Sequence, residues 1–513
     1  MMRITNAMMT SNTKNNININ KLNEDRLNTQ IATGQVISRP SEDPVVAIRA
    51  LRLNTNLSQL TQYYKKNIPD AQAWMNVTET ALKQTDEIFT NIKENLTAGA
   101  SDNHTATDRQ KILESLKGLR AELYSSGNAD YAERTVFTGY RTGESLTFLE
   151  TDKDLNENYA IHEKFNADSV EVGYKYITSS DRDASGTLDE TDVKEEKINR
   201  IRLAYGDVKN NVTGIKLADG TTVNVTTKSL SGLTQKQIDD IYMRSGTPAP
   251  ADNVAYLIPE TGELILSSDT ADKIVSQSKA GQGDATFEYN KDQWKSGDLR
   301  PEHYFACVQG SGTDLTYFNY ELDPATKKPD PTKPDFKNQD IEVEISFNQK
   351  ITINTHANEV YTHDIGRDVD ELITVTQSVV DADERVTALE KKLAAASEAD
   401  KPDIQKELDI VKKEYSLKKD KMQKMFSAAL DTFEGYSDRN NVAIANIGSL
   451  QSRLTITKER VADQLQSFKE LADANINAEL TESSIDFASA KLALEAAQLA
   501  AGKIAQQTLL NYL

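Results

Sequence analysis

Cysteine is nearly absent from this chain of 513 residues: Cys307 stands alone, so neither an intramolecular disulfide nor a CxxC metal site can form. A lone thiol of this kind packs as a small hydrophobe. Positive charge is also scarce. The 59 Lys and Arg against 79 Asp and Glu leave a formal net charge of -20, and no basic patch offsets the deficit. Nucleic acid is therefore not expected as a partner, because phosphate binding draws most of its affinity from Lys and Arg. Long hydrophobic runs are missing too. No stretch reaches the roughly 18 apolar residues that span a bilayer, so no membrane insertion is expected. Residues 1–28 lack the apolar core of a secretory signal, since Ile17 and Ile19 sit isolated among asparagines. That start fits a cytosolic protein or one exported without a cleaved signal. Proline is sparse outside the middle, where eight of the twelve lie between 144 and 366.

What is present is helical periodicity at both ends. From Ala478 onward no proline occurs, and Leu480, Phe487, Leu494 and Ala501 recur every seven residues. A second seam of Ile485, Leu492, Leu499 and Leu513 lies roughly 140° around the same helix. Two seams need two neighbours, so Leu480, Ile485, Phe487, Leu492, Leu494, Leu499, Leu510, Tyr512 and Leu513 are expected to make contacts between subunits of a homo-oligomer.

Towards the N-terminus, Val46, Leu53, Leu60, Asn67, Trp74, Ala81 and Ile88 form another seven-residue series. Pro69 interrupts it, which predicts a break or kink at 67–70 and a second helix from about Asp70 or Ala71. A further helix is expected over about 108–125, preceded by a turn containing Thr105. Beyond Val369 the pattern is again helical, with Asp400 and Pro402 reading as an N-cap and first-turn proline after a hairpin near 397–401. Ile447, Leu454, Val461 and Phe468 continue the series. Pairing the two ends gives a long antiparallel coiled-coil bundle formed by both chain termini.

Between about 144 and 366 the pattern changes to alternation. Segments 168–177, 221–227, 254–267 and 341–355 read as strands, with Asp219-Gly220 and Glu260-Thr261-Gly262 as hairpin turns. Pro324, Pro329, Pro331 and Pro334 read as a loop. The fold class is thus mainly α with an inserted β-rich domain, which would project from the bundle. Expected divisions are 1–45 with 470–513, 46–144 with 366–469, and 145–365.

Chemistry-bearing motifs are few. His162-Glu163-Lys164-Phe165-Asn166 approaches a zinc-protease helix but places Asn166 where the second histidine belongs. His104, His303, His356 and His363 show no ligand spacing and read as surface or turn residues; neither GxSxG nor a phosphate-binding GxxxxGK[ST] occurs. No catalytic role is expected. One constellation fits a calcium loop: Asp181, Asp183, Ser185, Thr187, Asp189 and Asp192 take the liganding positions of an EF-hand type loop, with Gly186 at the sharp turn. Calcium is thus a possible ligand, weakly held because position 12 is Asp. The segment before the loop reads as strand, and Val193 to Leu203 after it as helix.

Several motifs resemble the bacterial flagellin superfamily. They are Met2-Arg3-Ile4-Thr5, Ser38-Arg39-Pro40-Ser41-Glu42-Asp43-Pro44, Phe137-Thr138-Gly139-Tyr140 leading to Phe148, Ile447-Gly448 with Arg453-Leu454, and Leu509-Leu510-Asn511-Tyr512-Leu513. The proline-bearing turn and the Asn-Tyr-Leu ending resemble its hook-filament junction branch more than the filament flagellins. The resemblance implies a structural, extracellular component of the flagellum, exported by the flagellar secretion apparatus and joining hook to filament. Its implied partners are other copies in a ring, neighbouring hook-associated and flagellin subunits, and an export chaperone. It places Pro40, Asp43 and Pro44 at the turn between inner tube and bundle. The alternatives are a filament flagellin and a cytosolic coiled-coil binding protein with a calcium-responsive insert.

Overall fold

The computed structural model describes residues 6–101, 105–176, 195–209, 214–233, 235–242, 253–337 and 339–510. Its helices are α1 (Asn6–Thr33), α2 (Pro44–Gln62), α3 (Ile68–Gly99), α4 (Ala106–Glu122), α5 (Gln235–Tyr242), α6 (Ser268–Lys279), α7 (Ala357–Val360), α8 (His363–Ala395), α9 (Lys401–Ile476) and α10 (Leu480–Leu510). Two units divide the chain: residues 1–72, 343–351 and 451–513 form the first, and 73–342 with 352–450 form the second.

In the first unit the two chain ends run side by side. α1 pairs with α10; Asn20 Nδ2 donates to the Ala493 carbonyl at 3.4 Å, and Ala478 N donates to the Gly34 carbonyl at 2.9 Å. Partners whose numbers fall on one chain as they rise on the other make the pairing antiparallel. Gly34 has φ +69°, a left-handed conformation that lets α1 stop without strain. α2 begins at an N-cap: Asp43 Oδ1 accepts from Val45 N at 2.9 Å and Val46 N at 3.1 Å, with Pro44 in the first turn.

Pro69 does not break the helix where the sequence suggested. Residues 63–67 widen into a π turn, Ile68 N bonding back to the Tyr63 carbonyl, and α3 restarts at Ile68. A proline lacks an N–H and crowds the carbonyl four residues earlier; opening the turn by one residue accommodates both while the chain stays helical. Leu60, Ile68 and Ala71 remain fully buried through it. The hairpin of β15 (Glu342–Ser346) and β16 (Gln349–Thr352) packs there: Phe347 meets Tyr63 edge-on at 5.8 Å, and Asn67 Nδ2 donates to the Glu344 carbonyl at 2.7 Å.

The second unit contains a helical part and a sheet. α3 and α9 meet through Phe89 and Phe433, 6.3 Å apart, and Asn440 Nδ2 donating to the Leu82 carbonyl at 2.9 Å. α8 and α9 form the expected hairpin, with Leu389, Leu408 and Val411 at its core and Lys412 paired to Glu390 at 2.8 Å. Thr105 caps α4 in a capping box with Asp108.

A short hairpin of β1 (Asp130–Tyr131) and β2 (Arg134–Thr135) precedes a ten-stranded sheet. The sheet's strands are β3 (Tyr159–Phe165), β4 (Glu171–Tyr176), β5 (Glu195–Arg202), β6 (Ile215–Lys216), β7 (Thr222–Thr227), β8 (Val254–Ile258), β9 (Glu263–Leu266), β10 (Ala285–Lys291), β11 (Ala306–Ser311) and β12 (Asp314–Phe318). Their order is β12-β11-β3-β10-β6-β7-β8-β9-β5-β4. Among the described strands β7 and β8 run parallel and the other pairings in this sheet are antiparallel. Asp219-Gly220 and Glu260-Thr261-Gly262 make turns where expected, both glycines at positive φ. At Gly262 a Cβ would lie 2.2 Å from the Tyr205 carbonyl oxygen, so only glycine fits. The core gathers Phe148, Tyr159, Ile161, Tyr205, Phe287 and Trp294, with Phe148 stacked on Trp294 at 4.7 Å. Cys307 is fully buried in that core, as a small hydrophobe should be.

Two expectations are corrected here. Residues 195–202 are strand β5, not helix: Arg200 and Arg202, two positions apart, project to one face and reach Asp368 and Glu371 of α8, while Ile201 is buried in the core on the other. The proline-rich segment also forms β14 (Pro329–Pro334), paired antiparallel with β13 (Tyr320–Leu322) through an irregular register. An edge position in a two-stranded ribbon tolerates the missing N–H of proline.

Candidate assembly interface

α10 carries the two apolar seams that periodicity implies, and they have different surroundings. Leu494 is 8% exposed and Phe487 half-buried, so the first seam is largely taken up within the chain, on a helix whose packing partner is α1. For that seam one neighbour is supplied by the chain's own helix α1. The second seam is uncovered. Ile485, Leu492 and Leu499 are 63%, 66% and 70% exposed, and Leu480, at the start of the helix, is 55% exposed. α1 adds exposed Ile19 and Leu22. Leu510 ends α10, and Tyr512 and Leu513 lie outside the described residues.

A stripe missed by the sequence reading lies on α2, where Val45, Ile48 and Leu51 are exposed at spacings of three. The spacing itself was the available signal, obscured by the stronger buried series through Leu60. Ile456 and Leu471 on α9, in the same unit, are exposed as well. Exposed apolar side chains mark an interaction site where they form a contiguous patch.

The turn from α1 to α2 is tightly made. Glu42 accepts from Ser38 N and Ser38 Oγ, both at 2.8 Å, which holds its carboxyl below the usual range. Asp43 then caps α2, and Pro40 sits on the exposed turn itself. Thus Pro40, Asp43 and Pro44 share one short connection between α1 and α2.

Phe137 to Tyr140 is a packing motif. Phe137 meets Tyr361 edge-on at 5.0 Å, and Gly139, at φ +60°, brings Tyr140 N to Gln339 Oε1 at 2.9 Å. The calcium-loop residues Asp181, Asp183, Ser185, Thr187, Asp189 and Asp192 lie outside the described residues. Of the histidines, His162 pairs with Glu288 at 3.1 Å and His356 with Asp340 at 2.7 Å. His303 is not a surface residue; it is buried, because a turn after Arg300 folds it beneath residues 144–148. No described helix is long and apolar enough to cross a membrane.

Comparison with known proteins agrees with the terminal architecture. Residues 4–142 match the bacterial flagellin N-terminal helical region. Flagellar hook-associated protein 3 of Salmonella typhimurium is 27% identical over 142 residues, 28% of this chain and 44% of that protein. Its Escherichia coli counterpart is 24% identical over 200 residues, 39% of this chain and 63% of that protein. The matches therefore span less than two thirds of either relative. A solved structure of flagellar hook associated protein-3 from Legionella pneumophila aligns over 82% of this chain and 97% of its own at 9% identity and a TM-score of 0.32. Over residues 4–142 the chain is thus similar to the bacterial flagellin N-terminal helical region, and part of it is similar to proteins named flagellar hook-associated protein 3.

Proposed function

We propose that this protein is a structural subunit of the bacterial flagellum, a secreted adaptor that joins hook to filament and permits filament assembly. The observation that carries the reading is the uncovered seam Ile485, Leu492 and Leu499 on a C-terminal helix already paired with the N-terminal one. Such a pair has satisfied itself internally and retains an apolar stripe for the neighbouring subunit. The family match over 4–142 and the hook-associated relatives support the flagellum as its setting.

In this reading the subunits form a ring, Leu480 and Phe487 flank the contact seam, and Leu510, Tyr512 and Leu513 reach the next subunit. Pro40, Asp43 and Pro44 turn the chain from an inner tube of 1–45 with 470–513 to the helical bundle of 46–144 with 366–469, and 145–365 faces outward. The chain leaves the cell through the flagellar export apparatus, without a cleaved signal, after handling by an export chaperone. Catalysis is not part of the role.

Deletion of the gene tests the proposal, with electron microscopy of the cells and an assay for flagellin in the medium. Bare hooks and shed flagellin are expected. Filaments still growing on the hooks would reject the junction role in favour of a minor flagellin.

A further inference from the structure

Glu144, Glu302 and His303 stand 158 residues apart in sequence and meet because two extended segments run against each other. Phe148 N donates to the Asp298 carbonyl at 2.9 Å and Arg300 N to the Leu146 carbonyl at 3.0 Å, so 144–148 lies alongside 298–300. The short 3-10 turn of Pro301–His303 follows directly. Its Glu302 carbonyl accepts from Arg141 Nη1 at 2.8 Å and Asn319 Nδ2 at 2.9 Å, which fixes the turn from two sides. One ligand-type atom from each of the three side chains lies within 4.8 Å of the others.

Two of these groups are buried and incompletely satisfied. Glu302 is 2% exposed and its Oε2 has no hydrogen-bond partner; His303 is 7% exposed and its Nδ1 has none. A buried polar atom left unpaired costs roughly 1–3 kcal/mol, and here two occur on adjacent residues. The His303 tautomer follows from its contact: Nε2 lies 3.1 Å from the Ser145 carbonyl, which can only accept. Nε2 therefore carries the proton and Nδ1 offers a lone pair, the outer-shell arrangement that orients a metal-binding imidazole. Burial, followed by the Arg141 and Arg300 charges, holds His303 neutral, down to about 3. Arg300 does not neutralise the cluster by itself, because it is engaged by Asp152 and Asp154, each at 2.7 Å, as well as by Glu302 at 3.3 Å.

We propose that Glu144, Glu302 and His303 form a binding site for a divalent transition-metal ion of the zinc class. An imidazole nitrogen with two carboxylates suits zinc or its neighbours better than calcium, which takes six to eight oxygens. Ligand bonds of about 2.1 Å in tetrahedral array put donor atoms about 3.4 Å apart. The exposed Glu144 closes the remaining gap by rotating its side chain, and the fourth position is left for water. Ligation through Glu302 Oε2 and His303 Nδ1 would give both orphaned atoms a partner. It would clamp the 144–148 segment to the 300–303 turn.

The full chain, stripped with a chelator and dialysed against zinc chloride, provides the test, with metal content measured by mass spectrometry and affinity by competition with a chromogenic chelator. One tightly held zinc per chain is expected, with a rise in the thermal midpoint. Glu144→Gln alters an exposed side chain, so its zinc-free thermal midpoint should be unchanged. Its zinc affinity should fall by more than about 100-fold, since a direct ligand matters more than the outer-shell partners whose loss costs roughly 10–100-fold. No retained zinc in the parent chain overturns the proposal. Equal retention by Glu144→Gln also does so, because the ion would then sit on a surface pair such as His162 with Glu288 or His356 with Asp340.

Discussion

Arg200 of β5 and Glu371 of α8 are joined by Nη2 at 2.9 Å from one carboxylate oxygen and 2.7 Å from the other, tying the sheet to the helical part of the second unit. Arg202 adds Asp368 at 2.8 Å and Glu171 at 2.7 Å beside it. Glu371→Gln keeps the size and removes the charge, leaving two guanidiniums undercompensated. The site is neither fully buried nor at the surface, so the expected cost is about 2 kcal/mol, between the values for the two extremes. Urea unfolding measures it.

The same pair sets an acid limit. Burial alone would raise the Glu371 carboxyl, but Arg200 and Arg202 outweigh it and hold it below the usual range. The unfolded chain then takes up this proton at higher pH than the folded chain does. Its contribution is complete above about pH 5 and is lost as pH falls through the depressed folded value. Urea midpoints between pH 6 and pH 3 should decline less in Glu371→Gln than in the parent chain. Parallel declines would count against this origin.

The two seams of α10 should separate by mutation. Leu492→Asp, on the uncovered side, is expected to change the stability of the free subunit by no more than about 0.5 kcal/mol. It should nonetheless abolish assembly in cells, scored by filaments on the hooks. Leu494→Ala, on the covered side, should cost the subunit about 2 kcal/mol through lost burial, read as loss of helicity at lower urea. Equal effects of the two substitutions would contradict the assignment of inner and outer faces.

Asp43→Ala removes the acceptor of two backbone N–H groups at the start of α2 and should destabilise the first unit by about 1 kcal/mol. Asp43→Asn should retain most of that, because an amide oxygen still caps. Hydrogen exchange at Val45 and Val46 reports the difference directly.

For the acidic segment 181–192, calorimetry with the whole chain is expected to detect weak calcium binding at millimolar concentration, abolished in Asp181→Asn with Asp183→Asn. No heat in the parent chain would remove calcium from the account.

Much of the architecture could be read from local pattern. Seven-residue recurrence identifies a helix with a stripe because each turn repeats the same geometry, and alternation with Asp219-Gly220 identifies a hairpin because its turn is specified by adjacent residues. The capping signals at Asp43 and Thr105 are equally local, and both caps form. Val193 to Leu203 misled because a run of charged residues suits a solvated helix and a salt-bridged strand alike; acids of α8, about 170 positions away, decide between them.

That α10 has two apolar seams, that the middle is strand-rich and that both ends are helical could be read from the residues alone, since periodicity and turn chemistry act over a few positions. Which seam is covered and which stays open emerges only from packing, because covering depends on a partner from the opposite end of the chain. Packing alone also brought Glu144 to Glu302 and His303. No spacing rule connects residues 158 positions apart; the pairing of two extended segments does, and it buries the two acceptor atoms whose unmet hydrogen bonds mark the site.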